Sequence, residues 1–151
     1  MPATYEKIAT LTGLGSFTSI PATYTDLKLV GQTVSGGQNI EVRFNGSSAS
    51  LYSWTVLRGN GSAAASVRSS FTYIPLSGDS FVSGFGFYEV DIFSYAGSTF
   101  KTLLSSFSND ANGTGRVART VALWRSTAAI TDIEIRNNGG NPLTLYGIKN
   151  A

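Results

Sequence analysis

The 151-residue chain has the length of a single domain and is long enough to bury a substantial core without disulfides or metals. Hydrophobic residues make up 42% of the chain and charged residues only 13%, which excludes an intrinsically disordered protein, since disorder needs high charge and few apolar residues. Eleven basic and nine acidic residues give a net charge of +2, and the arginines are scattered rather than clustered as in a typical nucleic-acid-binding protein.

The composition also limits the chemistry of any site. Cysteine and histidine are both absent, which excludes Ser–His and Cys–His nucleophile pairs and most zinc sites. Residues 1–14 carry Glu6 and Lys7 without a sustained apolar run, so we expect no signal peptide. No stretch approaches the ~20 apolar residues of a membrane helix. We therefore expect no cofactor, no metal, no membrane partner and no nucleic-acid partner.

Apolar and polar residues alternate with a period of two along most of the chain, which is the pattern of half-buried β-strands. Ile40, Val42 and Phe44, for example, alternate with polar residues. In chain order, the predicted strands cover residues 5–11, 26–34, 40–45, 52–57, 69–74, 88–92, 100–107, 116–124, 132–136 and 143–148. Turn signals such as Asn45-Gly46 and Asn60-Gly61 separate them. Short strands and frequent turns predict antiparallel sheets, packed as a sandwich or rolled into a barrel.

Three segments depart from this simple pattern. Phe85 and Phe87 are in the opposite phase to Tyr88, Val90 and Ile92, so we expect a bulge or face switch near Gly86. Residues 63–70 show no clear strand alternation, and we expect a loop or a single helical turn there. Residues 1–24 are rich in Thr, Ser and Gly, and form either an N-terminal arm packed on a neighbour or an edge strand of the same domain. The whole chain, 1–151, is predicted to be one β-sandwich domain.

Few side chains are candidates for catalysis or ligand binding. Glu89 and Asp91 lie two apart on a predicted strand, a spacing that suits the paired carboxylates of a glycoside hydrolase but is more typical of a solvated strand face. Aromatic residues reach 12%. Trp54, Trp124 and Tyr95 are therefore candidates for stacking on a sugar ring, with core packing or a protein interface as the simpler alternative. The residues alone predict a non-enzymatic protein.

Five segments together resemble a known group of viral proteins. They are residues 17–30 (FTSIPATYTDLKLV), 42–46 (VRFNG), 57–62 (LRGNGS), 130–133 (ITDI) and 143–149 (LTLYGIK). These segments are similar to the small virion structural proteins of tailed bacteriophages, notably cyanophages and other marine phages. The resemblance covers nearly the whole chain and is weakest over residues 63–85.

The resemblance implies a jelly-roll-like sandwich that acts as a capsid decoration, or cement, protein. Such a protein assembles in the host cytoplasm, sits on the capsid surface as a homotrimer, and ties neighbouring copies of the major capsid protein together. Related sequences serve instead as tail-fibre or receptor-binding tips, and the family has no catalytic residues. For this role the candidate inter-subunit contacts are Tyr5, Lys7, Phe17 and Tyr24. The candidate capsid contacts are Arg116, Arg119 and Arg125, with simple surface solvation as the alternative.

Overall fold

The computed structural model describes residues 4–33, 39–78, 84–109, 112 and 115–149. These residues contain twelve β-strands and no helix, so the all-β prediction is confirmed. In chain order the strands are β1 (Thr4–Thr12), β2 (Gly15–Phe17), β3 (Asp26–Thr33), β4 (Glu41–Phe44), β5 (Tyr52–Gly59), β6 (Ala64–Phe71), β7 (Ile74–Pro75), β8 (Gly86–Phe93), β9 (Lys101–Asn109), β10 (Arg116–Trp124), β11 (Ile133–Arg136) and β12 (Pro142–Lys149).

The strands form two sheets of unequal size. The larger sheet has eight strands in the order β1-β12-β3-β8-β9-β10-β5-β6, and the smaller sheet has four in the order β2-β11-β4-β7. Neighbouring strands pair antiparallel in both sheets. The antiparallel sandwich is therefore present, whereas the jelly-roll path of the chain stays a prediction.

The core lies between the two sheets, because most strands, though not β1 and β6, bury side chains on their inner faces. Along β10, the side chains of Ala118, Thr120, Ala122 and Trp124 are buried, while the residues between them are not. Rings from the two sheets meet in the core, where the Phe44 ring centroid lies 5.4 Å from that of Trp124. At the sides, β2 of the smaller sheet contacts β1, and β7 contacts β5. The smaller sheet therefore ends beneath β5, and β6 projects beyond it.

The expected face switch at Gly86 is wrong. β8 pairs in unbroken register with β3 and β9, and Gly86 lies in the same inward phase as Tyr88, Val90 and Ile92. A Cβ at Gly86 would lie 2.8 Å from Thr33 Oγ1 and 2.9 Å from the Phe107 ring, so close packing explains the glycine. Phe85 and Phe87 simply point outwards. A register shift does occur in β1, between Lys7 and Ala9.

The expected loop or helical turn at residues 63–70 is also wrong, since β6 occupies Ala64–Phe71. None of its residues is fully buried, although Val67 packs partly against the core, so no buried face imposes an apolar alternation on the sequence. The strand predicted over residues 69–74 is wrong as well, because β6 ends at Phe71 and β7 begins at Ile74. The other predicted strands match to within one or two residues, and that for β10 has the observed bounds. Val34, the last residue of the second predicted strand, lies outside the described residues. In the N-terminal region, β1 forms an edge of the larger sheet and β2 an edge of the smaller one.

Candidate binding surface

The face of the larger sheet that points away from the core carries large apolar side chains. We call this surface the outer face. Between 40% and 60% of each side chain is exposed, and the residues are Leu57, Phe87, Phe93, Val117 and Val121. They alternate with the buried positions of β5, β8 and β10, so the sheet geometry directs them outwards. Charged residues lie between them, since Arg119 separates Val117 from Val121 along β10. Several large apolar side chains exposed on one sheet face are typical of a site that another molecule covers.

Small side chains between the apolar ones shape the outer face. Val117 lies opposite Gly59 on β5 and Ser108 on β9, and Ser108 lies opposite Phe87 on β8. Two shallow grooves of about 460 Å³ and 570 Å³ result, and Val117 lines both of them. Apolar ridges beside shallow grooves can interdigitate with a second surface, and the serine hydroxyls can form hydrogen bonds to it.

The two candidate catalytic carboxylates lie on this same face, where a lysine bridges them. Lys28 Nζ is 3.2 Å from a Glu89 carboxylate oxygen and 2.9 Å from Asp91 Oδ1. Burial alone would lower the pKa of Lys28, but hydrogen bonds and charges from Asp91 and Glu89 outweigh it and raise that pKa. The carboxylates therefore belong to an ion-paired cluster on a sheet face rather than to an acid–base pair in a cleft.

The outward side of the smaller sheet has a different character, because charged residues cover it. Arg136 Nη1 lies 3.5 Å from Glu41 Oε2, Arg136 Nε lies 3.9 Å from Glu134 Oε1, and Arg43 Nη1 lies 4.0 Å from Glu134 Oε2. Burial raises the pKa of Glu41, while the positive charges of Arg136 and Arg43 oppose that shift. Ion-paired surface residues of this kind are well solvated. The outward side of the smaller sheet thus carries ion-paired residues, whereas the outer face combines exposed apolar residues with the Lys28 cluster.

The fold exposes only some of the predicted N-terminal contact residues. Tyr5 and Lys7 are exposed on β1 and remain accessible to a neighbour. Phe17 needs correction as an inter-subunit contact, because only 4% of its surface is exposed and its side chain lies in the chain's own core. The Tyr24 ring packs directly over Gly147, and Lys149 Nζ lies 5.4 Å from the ring centroid. Most of the Tyr24 ring is thus used within the chain.

The three predicted capsid-contact arginines do not form one patch. Arg119 lies on the outer face, where its guanidinium donates a hydrogen bond of 2.5 Å to the Ser106 hydroxyl. Arg116 points to the opposite side of β10 from Arg119 and packs beside Gly78. Arg125 follows β10 and donates to the Ser50 carbonyl at 2.6 Å. Of the three, only Arg119 shares a surface with the exposed apolar residues.

The predicted ligand-stacking residues also need correction, because all three are buried. Trp54, Trp124 and Tyr95 are 8%, 2% and 0% exposed. Trp124 stacks on Tyr52 with a centroid distance of 6.4 Å, and the Tyr95 hydroxyl accepts a hydrogen bond from the Tyr24 backbone amide at 3.3 Å. The sequence did contain a signal for this burial, since Trp54 is in phase with Tyr52 and Val56.

Apart from Tyr5, the most exposed aromatic residues among those described are phenylalanines, which were not selected as candidate site residues from the sequence. Phe85, Phe87, Phe93 and Phe100 are all at least 40% exposed. Phe87 and Phe93 share the phase of Glu89 and Asp91 on β8, and this shared phase was the available signal for their exposure.

Further searches of the described residues add no site of another kind. No group of three or more His, Cys, Asp or Glu side chains in them is arranged to hold a metal ion. None of them forms a helix with the length and apolar character needed to cross a membrane. Neither a protein-family model nor a curated protein sequence matches this chain.

Proposed function

We propose that this chain is a structural protein of a phage virion, a capsid decoration protein that binds the major capsid protein through the outer face. The main support is the outer face itself, which directs Leu57, Phe87, Phe93, Val117 and Val121 away from the chain's own core. The resemblance of residues 17–30 and four further segments to phage virion proteins supplies the biological setting. In this proposal the protein acts on the capsid surface by adhesion and catalyses no reaction.

The apolar residues can supply useful binding energy. Complete burial of one Val, Leu or Phe side chain contributes about 1.5–3 kcal/mol, and these five side chains are roughly half exposed. Covering all five would therefore contribute on the order of 5 kcal/mol before the entropic cost of association. One such contact is modest, so stable decoration also needs hydrogen bonds from the neighbouring serine and threonine hydroxyls.

Arg119 is the charged residue that we assign to this contact. It lies beside Leu57 on one side and Ser106 on the other, and a capsid carboxylate that meets the outer face would lie within reach of its guanidinium. Because the other contributions are largely uncharged, binding should weaken only moderately as salt rises. This moderate salt dependence separates the proposal from non-specific charge attraction.

A co-sedimentation experiment tests the proposal with shells that were assembled without this protein. The Val121→Lys variant places an ammonium group in the centre of the outer face, where Val121 is 52% exposed. We expect its affinity for shells to fall by about tenfold or more, since a contact on the remaining apolar residues would have to desolvate the charge. The matched control is Ser16→Lys on the exposed strand β2 of the smaller sheet, which should bind as well as the unmodified protein.

The outcomes separate the candidate roles. Shell binding that Val121→Lys weakens and Ser16→Lys leaves intact supports the proposal, and decorated shells should then rupture at a higher temperature than bare ones. Equal binding by the two variants would refute the assignment of the outer face. If the protein ignores shells but binds host-surface glycans, the chain is instead a receptor-binding tip.

A further inference from the structure

Strand β6 is an open edge of the larger sheet. Among the described strands only β5 pairs with it, so one side of its backbone has unpaired N–H and C=O groups. None of its eight residues is buried, and only Val67 and Ser69 are even half-buried. The smaller sheet ends beneath β5, so the outward face of β6 is uncovered, and its inward face meets the core through the partly buried Val67. The strand is thus available to another strand both through its backbone and through its side chains.

The opposite edge of the same sheet has features that discourage such pairing, and β6 does not. In β1 the register shifts between Lys7 and Ala9, and an exposed lysine, Lys7, occupies the edge. Irregular register and lysine side chains are typical means of blocking edge-to-edge association. β6 contains no proline, carries one charged residue, Arg68, and pairs with β5 without a shift over its whole length. The larger sheet therefore has one protected edge and one unprotected edge.

We infer that β6 pairs antiparallel with β6 of a second copy of this chain, so that two eight-stranded sheets become one continuous sheet. Residues 67–71, the last five of β6, are complementary to themselves around a two-fold axis at Ser69. In that register Val67 of each copy lies opposite Phe71 of the other, and an aromatic residue opposite a β-branched one is a favourable cross-strand pair. Arg68 lies opposite Ser70, so the two like charges do not face each other.

This pairing has a consequence for the outer face. Residues directly opposite each other in an antiparallel pair lie on the same side of the sheet, so a two-fold axis through Ser69 runs perpendicular to the sheet. Both outer faces then point in one direction, and both smaller sheets point in the other. The dimer therefore presents the apolar residues of both outer faces on the same side, and two linked contacts bind a repetitive shell far better than one.

The inferred symmetry differs from the trimer that the phage resemblance implies. A two-fold contact uses the same strand on both copies, whereas a three-fold ring needs two different complementary surfaces on each copy. One strand pair is a small interface, so we expect a reversible dimer whose population rises with protein concentration. Sedimentation equilibrium over a range of concentrations measures this directly. The expected result is a mass between those of one and two chains that increases with concentration.

Two variants make the test specific to β6. Val67→Lys replaces both symmetry-related Val67–Phe71 contacts, and we expect the dimer dissociation constant to rise by about tenfold. The chain contains no cysteine, so Ser69→Cys introduces a single thiol directly opposite its own counterpart, at a separation that suits a disulfide. Under mild oxidation this variant should form a covalent dimer quickly. Ser16→Cys on β2, also exposed at a sheet edge, is the control and should crosslink slowly.

Several results would overturn the inference. These are a monomer at every concentration, a trimer, or equal crosslinking rates for Ser69→Cys and Ser16→Cys. Failure of the β6 dimer is distinguishable from failure of the proposed shell binding, because Val121→Lys should still dimerise while losing affinity for shells. Val67→Lys should conversely bind shells as a monomer, more weakly because the linked second contact is lost.

Discussion

The hydroxyl group of Tyr52 joins the two sheets, and we expect its removal to destabilise the fold measurably. Tyr52 is fully buried on β5 of the larger sheet. Its hydroxyl accepts a hydrogen bond from the Phe44 backbone amide at 3.0 Å and donates one to the Ser47 carbonyl at 3.1 Å, both from the smaller-sheet side of the core. Tyr52→Phe keeps the ring but leaves the buried Phe44 amide without this acceptor. An unsatisfied buried donor costs about 1–3 kcal/mol, so we expect the free energy of unfolding to fall by about 2 kcal/mol.

Chemical denaturation measures this loss, because Trp54 and Trp124 are buried and report unfolding by their fluorescence. A loss of about 2 kcal/mol corresponds to a fall in melting temperature of roughly 4–8 °C for a chain of this size. The slope of the unfolding free energy against denaturant should not change, since the same surface becomes exposed. Tyr5→Phe is the matched control, because Tyr5 is 57% exposed, and it should change stability by less than about 0.5 kcal/mol. If Tyr52→Phe is no less stable than Tyr5→Phe, the hydroxyl does not stabilise the packing of the sheets.

Two further predictions concern close packing and pH. Gly31→Ala should lower the free energy of unfolding by about 1–3 kcal/mol, because the new Cβ would lie 2.5 Å from the buried Tyr88 ring. At Gly59 the atom nearest to an added Cβ would be 3.8 Å away, so Gly59→Ala should leave the free energy of unfolding unchanged in the same denaturation assay. Equal losses of stability in the two variants would contradict the packing argument. Burial raises the pKa of Tyr52, Tyr73, Tyr88 and Tyr95. Their contribution to stability is therefore complete below the unfolded tyrosine pKa of about 10 and is lost as pH rises through the higher folded values. Tyrosinate absorbance of the native protein should accordingly lag behind that of denatured protein above pH ~10, and coincident curves would refute the prediction.

The sequence predicts those strands best that have one buried and one solvated face. The bounds of β10 follow from the alternation of Ala118, Thr120, Ala122 and Trp124 with residues that are not buried, because burial on one side imposes a period of two. β6 gives no such signal, since none of its residues is fully buried and its Ala and Ser residues meet no packing requirement. Sheet order and the unequal sizes of the sheets are properties of long-range pairing, which local alternation does not encode.

The candidate site was harder to predict than the fold, for a related reason. Apolar residues were expected to point inwards, so Phe85 and Phe87 suggested a face switch, while Trp54 and Trp124 were candidates for ligand stacking with core packing as the simpler alternative. The tryptophans do pack in the core, whereas the two phenylalanines lie outside it. The rule that apolar residues are buried within their own chain fails at a surface that a second molecule is expected to cover. Phe85 and Phe87, which suggested the face switch near Gly86, therefore lie at the edge of the outer face.

The unequal sheets give a physical reason to expect that this chain has a partner. The smaller sheet covers only the inner side of the larger one, and the other side keeps five large apolar residues in contact with water. A low charge content offers little repulsion to prevent those surfaces from meeting, as only 13% of residues are charged. On the opposite side, ion pairs such as Arg136–Glu41 keep the smaller sheet solvated. In the proposed assembly, association is thus directed to the outer face and to the edge at β6, and the ion-paired side faces solvent.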